Sequence, residues 1–479
     1  MASQLKHTPL EEISKIHERV KATFASGVTR PIAWRRQQLY QLGKMLQENE
    51  ERLVKAINVD IGKPKLEATI ADLGVVVYAV VLALKNIEAW AAPEKVDVHA
   101  LPEWRRGWDT TVYKTPKGTA LIITPWNCPY IISLGPLVGA IAAGCAAVIK
   151  PSELCPTVSQ TLADLFPKYL DPNAFAIVNG AIEETAKLLE LRWEHIFYTG
   201  SNRIGRIIAT AAAKHVTPLT LELGGKCPVV IAPDANIKLA AKRILYGKQA
   251  NLGQICVSPD YVLVPRDKQD EIAEAFKEVH GEFFPQGTLN SPDIGHIISP
   301  AHRQRLKNLV GSTRGQVILG SGVAGEKKME VTIVKDVQID DVLMADEIYG
   351  PILALVPVDD IDQAIRIIAE RPSPLVVYVF TEDETIRDKF LERTASGTIV
   401  LNDTFQQLAV HEIPFGGQGE SGYGAYLGKS SFDTFTHQRG YIHVPLAAEP
   451  FMKFRYPPYS DEAVAALSKF GMHLPLPKL

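Results

Sequence analysis

The pattern of apolar and polar positions divides the chain near residue 90. In the first part, apolar residues recur at intervals close to 3.6, as in the segments from Ile16 to Gly27 and from Arg35 to Ile57. This spacing, together with the abundance of strong helix formers, predicts that the first part is helical.

Short runs rich in valine and isoleucine dominate the rest of the chain. The first series is ALIITP, AAVIKP, AFAIVNG, HIFYTG, LTLELGG and PVVIA, and the second is YVLVP, PILALVPV, LVVYVF and GTIVLND. Turn residues end these runs, and a helical pattern usually follows. The alternation predicts an α/β fold with parallel sheets covered on both faces, in two lobes that join near LELGGK, Leu221–Lys226.

The composition is that of a soluble, enzyme-sized protein of two or three domains. The chain has 479 residues and a net charge of −3, and the absence of a basic stripe argues against a nucleic-acid partner. Its five cysteines form no C-x-x-C pair, which argues against a disulfide framework or a zinc site and favours a reducing compartment such as the cytoplasm. The N-terminal segment lacks the pattern of a secretory signal.

One apolar run, Gly74 to Leu84, needs separate consideration because of its hydrophobicity. It is much shorter than the ~20 residues that a membrane span requires. We therefore predict a buried or interface helix.

Two motifs are candidates for binding a nucleotide at strand ends. In IFYTGSNRIG, a helix begins directly after Gly200 and Ser201, and helix N-termini bind phosphate well. The spacing from Gly200 to Gly205 is not the dinucleotide fingerprint, so a plain strand-to-helix turn is an equal alternative. Lys150 and Glu153 follow another strand and could hold ribose hydroxyls, the alternative being a capped helix with solvated charges.

Three further side chains are candidates for catalysis. Glu222 lies within a strand-like run, where burial would raise its pKa toward that of a general base, unless it points outward. Asn127 lies between prolines and could donate to an oxyanion, the alternative being a turn residue. Cys256 lies in GQICVSPD and is either a nucleophile or a packed core thiol.

Together these motifs resemble the aldehyde dehydrogenase superfamily. The matching pieces, in order, are PWNCP, KPSE, YTGSNRIG, LELGGK, GQICVSPD, EIYGP and PFGGQGESGYG, and they extend over nearly the whole chain. GKSSFDTFTH and the late RYPP resemble the class 3 branch, which includes fatty and aromatic aldehyde dehydrogenases. Relatives in this branch can carry a membrane-anchoring tail, and no spanning stretch is evident here.

The resemblance implies a role for each matching residue. Cys256 corresponds to the nucleophile, Glu222 to the general base, and Asn127 to the oxyanion donor, aided by the backbone N–H of Cys256. The positions that it implies for contact with NAD or NADP are Lys150, Glu153, Gly200, Ser201, Gly205, Leu223, Glu347, Tyr349 and Trp126. Tyr349 replaces a common phenylalanine, and Ile255 a frequent threonine. The apolar run from Gly74 could line the substrate entrance.

The fold implied by the resemblance has a Rossmann-type cofactor domain with a five-stranded parallel sheet, an α/β catalytic domain and a small bridging β element. We assign residues 1–95 and 116–222 to the first, 223–410 to the second, and 96–115 and 411–479 to the third. The bridging strands are expected to pair across subunits of a homodimer.

The reaction implied by the resemblance is oxidation of an aldehyde to a free acid through a thiohemiacetal and a thioester on Cys256, without a metal. A CoA-acylating relative is one alternative, although a general base at Glu222 would then be superfluous. A catalytically idle scaffold of the same fold is another, against which the retention of Cys256, Glu222 and Asn127 argues. The sequence leaves open the aldehyde and the choice between NAD and NADP.

Overall fold

The computed structural model of the chain describes residues 5–320, 327–469 and 472–477. The helices, numbered in chain order, are α1 (Leu10–Ala25), α2 (Ile32–Glu48), α3 (Glu50–Ile61), α4 (Val75–Ala91), α5 (Pro129–Ala143), α6 (Pro156–Tyr169), α7 (Ile182–Glu190), α8 (Asn202–Ala213), α9 (Ile237–Gln249), α10 (Gln269–Phe283), α11 (Pro300–Ser312), α12 (Val342–Ala345), α13 (Ile361–Ala369), α14 (Glu384–Arg393), α15 (Gln406–Ala409), α16 (Gly428–Thr434), α17 (Glu449–Met452) and α18 (Asp461–Ser468).

The strands, numbered in the same way, are β1 (Glu94–Lys95), β2 (Asp109–Pro116), β3 (Thr119–Ile123), β4 (Ala146–Lys150), β5 (Phe175–Ile177), β6 (His195–Gly200), β7 (Leu219–Leu223), β8 (Pro228–Ile231), β9 (Tyr261–Pro265), β10 (Gln316–Leu319), β11 (Thr332–Lys335), β12 (Ile352–Val358), β13 (Val376–Phe380), β14 (Thr398–Leu401), β15 (Gly422–Tyr423) and β16 (Thr436–His443).

The first part of the chain is helical, as its periodicity predicts. Helix α2 buries Leu39, Leu42 and Leu46 on one face, which is the apolar stripe expected at a period of 3.6. Helix α3 ends at Gly62, whose φ of +66° lies in the left-handed region and whose N–H donates to the carbonyl of Asn58 at 2.8 Å. This glycine end stops the helix one residue before Lys63.

Helix α4 continues directly from a π-helix at Glu67–Gly74. Together they form a helix of 25 residues, which is long and apolar enough to cross a membrane by length and composition. It is the one such helix among the described residues, and this is weak evidence because core helices pass the same test. The predicted helix is thus confirmed but is longer than the apolar run, and Val76, Val80, Ala83 and Ile87 are buried.

The first predicted lobe contains a six-stranded sheet with the order β15-β7-β6-β3-β4-β5. The strands from β7 to β5 pair in parallel, while β15 pairs antiparallel with β7 at the edge. Strands β3 and β4 are buried at every position, which explains why their sequences are runs of Val, Ile and Ala rather than alternating. The expected five parallel strands are present, and β15 is a sixth that the sequence did not predict.

The second lobe contains a seven-stranded sheet with the order β10-β11-β12-β9-β8-β13-β14. Its parallel strands are the four runs of the second series, the run PVVIA of the first series, and β11, which the sequence did not predict. Helices α9, α10, α13 and α14 connect or cover them. The edge strand β10 is antiparallel and has a register shift between Val317 and Leu319. Two sheets of mainly parallel strands confirm the predicted α/β fold class.

The chain forms two compact units. The larger contains the residues up to Trp90 and Pro116–Thr436, with both large sheets, and the smaller contains Ala91–Thr115 and His437–Leu479. The smaller unit is built around a three-stranded sheet with the order β1-β2-β16. Residues 411–436, which the predicted division assigns to the bridging element, fall in the larger unit, and the division into three domains stays a prediction.

Candidate active site

A cleft lies where the carboxyl ends of β3, β6 and β7 meet the turn that carries Cys256. Ligands of open parallel sheets bind at this edge, because the loops that follow the strands converge there. The cleft has a volume of about 280 Å³ and is lined by Pro125, Trp126, Asn127, Ile132, Thr199, Gly200, Ser201, Glu222, Leu223, Gly224, Cys256, His302, Glu347 and Tyr349. The three predicted catalytic side chains therefore line one cavity.

The turn that carries Cys256 has an unusual backbone. Asn251 and Leu252 have φ values of +47° and +52°, in the left-handed region that side chains rarely adopt. Bonds from other elements hold the turn after the cysteine: the Tyr378 hydroxyl donates to the carbonyl of Val257 at 2.7 Å, and the Cys227 thiol donates to that of Cys256 at 3.3 Å. The position of Cys256 is thus set by tertiary contacts rather than by a regular element.

The Cys256 thiol is held mainly in its protonated form. Burial raises its pKa well above the ordinary value, and the negative charge of Glu347 raises it further, with smaller effects from Cys128, Cys227 and Glu222. A thiol must lose its proton to become a nucleophile. An attack by Cys256 therefore requires a base within the cleft or a change of its electrostatic surroundings.

Glu222 is a buried carboxyl without a partner. It lies on β7 opposite Gly422 of β15, with a relative exposure of 3%, and neither of its oxygens has a hydrogen-bond partner among the described residues. Burial raises its pKa well above the usual range. The sequence left open whether Glu222 points outward, and the structure places it at the cleft wall. A carboxyl with a raised pKa facing a cavity can exchange protons with a bound molecule.

Asn127 is fixed through its backbone while its side chain faces the cleft. Its carbonyl accepts hydrogen bonds from Lys63 Nζ at 3.3 Å and from Asn251 Nδ2 at 2.9 Å. Within the described part of the chain, its Nδ2 has one long contact, 3.8 Å to Cys128 Sγ, and its Oδ1 has no hydrogen-bond partner. The amide N–H groups are thus available to an oxygen atom in the cavity.

The other end of the cleft is shaped by close packing between α8 and β7. A Cβ on Gly205 would lie 2.9 Å from Leu223 Cδ2, and one on Gly224 would lie 2.4 Å from Glu347 Oε2. The first turn of α8 therefore lies tightly against the end of β7, with Gly200 and Ser201 exposed to the cavity. Gly205 packs behind the cleft and does not line it.

Two predicted cofactor contacts, Glu347 and Tyr349, lie in one loop after α12. Burial, followed by the charges of Asp260 and Asp346, raises the pKa of Glu347 to about 8. Tyr349 has a φ of +51° and packs edge to face against Trp126, with ring centroids 5.7 Å apart. The loop therefore places a carboxyl and one aromatic ring at the cavity, where the ring packs against Trp126 from the loop after β3.

Lys150 and Glu153 do not line this cleft. Lys150 ends β4, the strand next to β3, and its Nζ lies 2.7 Å from Glu153 Oε2. The lysine is buried with a relative exposure of 5%. They thus form an ion pair at the same sheet edge, one strand further from Cys256.

His302 is a cleft residue that the sequence did not reveal. It lies in α11, and its Nε2 is 2.7 Å from the carbonyl oxygen of Tyr349. Burial lowers its pKa, so the neutral ring donates to this carbonyl and supports the left-handed Tyr349. A single histidine in a polar helix carries no signal of such a contact, which depends on packing between distant segments.

Comparisons with known proteins match the chain over nearly its whole length. The model of the aldehyde dehydrogenase family matches residues 2–440. The chain is 41% identical over 457 residues to aldehyde dehydrogenase family 3 member A2 of Rattus norvegicus. This alignment covers 95% of this chain and 93% of the rat protein. The chain is 39% identical over 455 residues to family 3 member H1 of Arabidopsis thaliana, covering 94% and 93% of the two chains.

The fold comparison agrees. The solved structure described as the substrate-bound state of Staphylococcus aureus AldH superimposes with a TM-score of 0.91 at 37% identity, covering 96% of this chain and 99% of that chain. These matches confirm the resemblance first drawn from short motifs, including the class 3 branch. The chain belongs to the aldehyde dehydrogenase family and is an oxidoreductase that acts on aldehydes.

Proposed function

We propose that this enzyme oxidises aldehydes to free carboxylic acids with Cys256 as nucleophile, Asn127 as oxyanion donor and Glu222 as general base. The observation that carries the proposal is that these three side chains line one cleft, in which neither oxygen of Glu222 has a hydrogen-bond partner among the residues that the structure describes. Nucleophile, donor and base within a single cavity are the parts that acyl transfer requires.

The first step is attack of the Cys256 sulfur on the aldehyde carbon. Because the pKa of this thiol is raised, its proton must leave before the attack, and it passes through a water to the solvent, so that Glu222 stays ionised. The Asn127 amide and the backbone N–H of Cys256 donate to the oxygen that becomes an alkoxide, which stabilises the tetrahedral thiohemiacetal. Accepting the hydride that leaves the former aldehyde carbon is the chemistry that NAD or NADP supplies when bound.

The second step is hydrolysis of the thioester left on Cys256. Glu222 removes a proton from a water, the water oxygen attacks the thioester carbonyl, and the sulfur leaves to give the acid. Burial of Glu222 without a partner supports this role, since its raised pKa suits a base that works near neutral pH. In a CoA-acylating enzyme, a thiol rather than water would displace Cys256.

The residues at the far end of the cleft fit a dinucleotide. A Cβ at Gly205 would press on Leu223, which is the close helix–strand packing that brings a helix N-terminus to a pyrophosphate. We assign the pyrophosphate to Gly200 and Ser201 and the adenosine ribose to Lys150 and Glu153. The nicotinamide side would then contact Glu347, together with Leu223, Tyr349 and Trp126.

Either nicotinamide cofactor is compatible with this site. The curated relatives include a dimeric enzyme of Canis lupus familiaris named as NADP-preferring, and the solved structures include an enzyme of Sinorhizobium meliloti named as NAD-dependent. Glu153 pairs with Lys150 at 2.7 Å, so its charge is partly neutralised and repels a 2′-phosphate less than a free carboxylate would.

For the substrate, we propose long-chain aliphatic or aromatic aldehydes. Ile132, Trp126 and Tyr349 supply apolar surface to the cleft, and the class 3 resemblance supports this choice. The helix from Glu67 to Ala91 exposes Ile70, Tyr78 and Val81, which are suited to an apolar entrance.

We further propose a homodimer in which β16 pairs with its copy. Seven of the eight residues of this strand are exposed, and in the described sheet β16 is an edge with β2 as its neighbour. An exposed edge strand favours pairing with another chain. We propose a cytoplasmic location because all five cysteines are free thiols, in keeping with a reducing compartment.

Turnover assays test the function. A panel of aliphatic and aromatic aldehydes is offered with NAD or with NADP, and the absorbance of the reduced nicotinamide measures the rate. We expect acid as product and loss of turnover in Cys256→Ala. Formation of acyl-CoA when CoA is added would favour the acylating alternative. Cofactor binding without reduction by any aldehyde would favour the idle scaffold.

A further inference from the structure

Beside the cleft lies a group of buried charges that the proposed reaction does not use. Lys63 Nζ and Asp72 Oδ2 are 2.8 Å apart, with side-chain exposures of 3% and 0%. Glu67, five residues before Asp72, is half-buried. A buried ion pair contributes little net stability because of its desolvation cost, so stability alone does not account for this arrangement.

The first two groups hold the segment that carries Asn127. Asp72 Oδ1 accepts the N–H groups of Tyr130 at 3.0 Å and Ile131 at 2.9 Å, in the first turn of α5. Lys63 donates to the carbonyl of Asn127 at 3.3 Å. The loop is thus fixed on both sides of Cys128, and the Asn127 side chain has little freedom to shift.

The third group holds the turn that carries Cys256. Glu67 Oε2 accepts the backbone N–H of Asn251 at 3.1 Å, and this residue has the left-handed φ of +47°. The Asn251 side chain then donates to the carbonyl of Asn127 at 2.9 Å and to that of Gln254 at 3.2 Å. A single amide therefore joins the two loops.

The π-helix explains how one segment reaches both loops. In an α-helix, residues five apart point about 140° away from each other, because each residue turns by about 100°. Hydrogen bonds between residues five apart, as in a π-helix, bring such residues toward one face. The π-helix at Glu67–Gly74 thus allows Glu67 to bind the turn before Cys256 and Asp72 to bind the start of α5.

We propose that Lys63, Glu67, Asp72 and Asn251, which we call the π-helix clamp, are positioning residues that set Asn127 relative to Cys256. The proposal rests on the function proposed above, in which these two residues form the oxyanion site. The clamp acts by fixing the main chain of both loops, so that the amide N–H and the sulfur are separated by the distance that a tetrahedral centre requires. None of its members needs to touch the substrate.

Two substitutions and one control test the clamp. Asn251→Gly keeps the left-handed backbone and removes the joining amide, and Asp72→Asn removes the charge that holds α5. Glu184→Gln is the matched control, because Glu184 is a buried carboxylate that accepts the N–H of Ala181 at the start of α7. The measurements are the single-turnover rate of nicotinamide reduction, the cofactor dissociation constant from tryptophan fluorescence, and the thermal midpoint.

We expect both clamp variants to slow single-turnover reduction by about 10- to 100-fold, the usual effect of displacing a catalytic group slightly. Cofactor affinity should stay unchanged in both clamp variants. The control Glu184→Gln should keep both its reduction rate and its cofactor affinity when each variant is measured at the same interval below its own thermal midpoint. Loss of cofactor affinity in parallel with rate, or equal loss in the control, would overturn the proposal in favour of general destabilisation. If Asp72→Asn does not fold, Glu67→Gln replaces it with the same expectation.

A double-mutant cycle separates positioning from a structural role. If Asn251 acts through Asn127, adding Asn251→Gly to Asn127→Ala should cost no more than about 3-fold, because the group to be positioned is already absent. The same loss in both backgrounds would show that the clamp does not act through Asn127. The proposed function is tested separately, since its failure would appear as inactivity of the unsubstituted enzyme.

Discussion

At the scale of single residues, the candidate site depends on carboxyls and a thiol whose protonation is controlled by burial. The pKa values of Cys256 and Glu222 are both raised, mainly by desolvation. The sequence predicted which residue types would meet, because each lies in a short motif that resembles the aldehyde dehydrogenase superfamily. It could not predict their partners: His302, Lys63 and Asn251 reach the site through contacts between segments far apart in the chain, for which a single sequence carries no local pattern.

The pH dependence of the reaction follows from these two groups. A thiolate and an ionised Glu222 are needed, and both pKa values are raised, so the rate of acid formation should increase with pH from neutral into the alkaline range. A pH profile of kcat measures this. A rate that falls over the same range would contradict the roles of both groups.

Glu347 gives a prediction for stability rather than rate. Its pKa is raised to about 8, so the folded state binds its proton more tightly than the unfolded state. The resulting stabilisation is fully present below the pKa of the unfolded chain and is lost as pH rises through about 8. Thermal unfolding without cofactor should therefore show a smaller decrease from pH 5 to 9 in Glu347→Gln than in the unsubstituted enzyme.

At the scale of elements, apolar runs predicted every parallel strand except the short β11, because strands buried on both faces need continuous Val, Ile and Ala. The same rule fails for β10 and β15, since one is a half-exposed edge and the other has two residues. The π-helix also escapes prediction, because its sequence EATIADLG reads as an ordinary helix. Its irregularity reflects the buried partners of Glu67 and Asp72, which are tertiary contacts.

The turn before Cys256 makes a prediction at this scale. Gly253 has a φ of +69°, and a Cβ there would lie 2.3 Å from the carbonyl oxygen of Gly350. Gly253→Ala should therefore destabilise the protein by about 1–2 kcal/mol for the backbone alone, and more for the clash. It should also lower activity strongly by moving Cys256.

The matched control is Gly281→Ala. Gly281 lies in helix α10, and an added Cβ there meets no atom within 4 Å. This change should stabilise the protein by up to about 1 kcal/mol through helix propensity and leave the activity intact. Urea unfolding and turnover measure both variants, and equal behaviour of the two would contradict the account of the turn.

At the scale of the whole molecule, the two sheets of the larger unit explain why the cysteine and the glutamate are far apart in sequence but share a cleft. Glu222 lies next to the carboxyl end of β7 in the first sheet, and Cys256 precedes β9 of the second. The two lobes could be predicted from the two series of strands. The start of the second segment of the smaller unit at residue 437 could not be predicted. The segment before it belongs to the larger unit because β15 pairs with β7.

The proposed dimer gives the prediction for the assembly. Ile442 lies in β16 with a relative exposure of 62%, so Ile442→Asp should place a charge in the paired interface and shift the protein toward monomer. Ile182→Asp serves as control, since Ile182 is 82% exposed at the start of α7 in the larger unit. Sedimentation velocity distinguishes the two, and a monomeric unsubstituted protein would contradict the proposal.

The central claim is that Cys256 carries an acyl group which Glu222 helps water to remove. Mass spectrometry of Glu222→Gln after mixing with NAD or NADP and an aldehyde that the unsubstituted enzyme oxidises tests it most directly. Hydrolysis should slow by about 10²- to 10⁴-fold, so the peptide with Cys256 should gain the mass of the acyl group while one equivalent of nicotinamide is reduced. Full turnover without an adduct, or an adduct on another residue, would contradict the account.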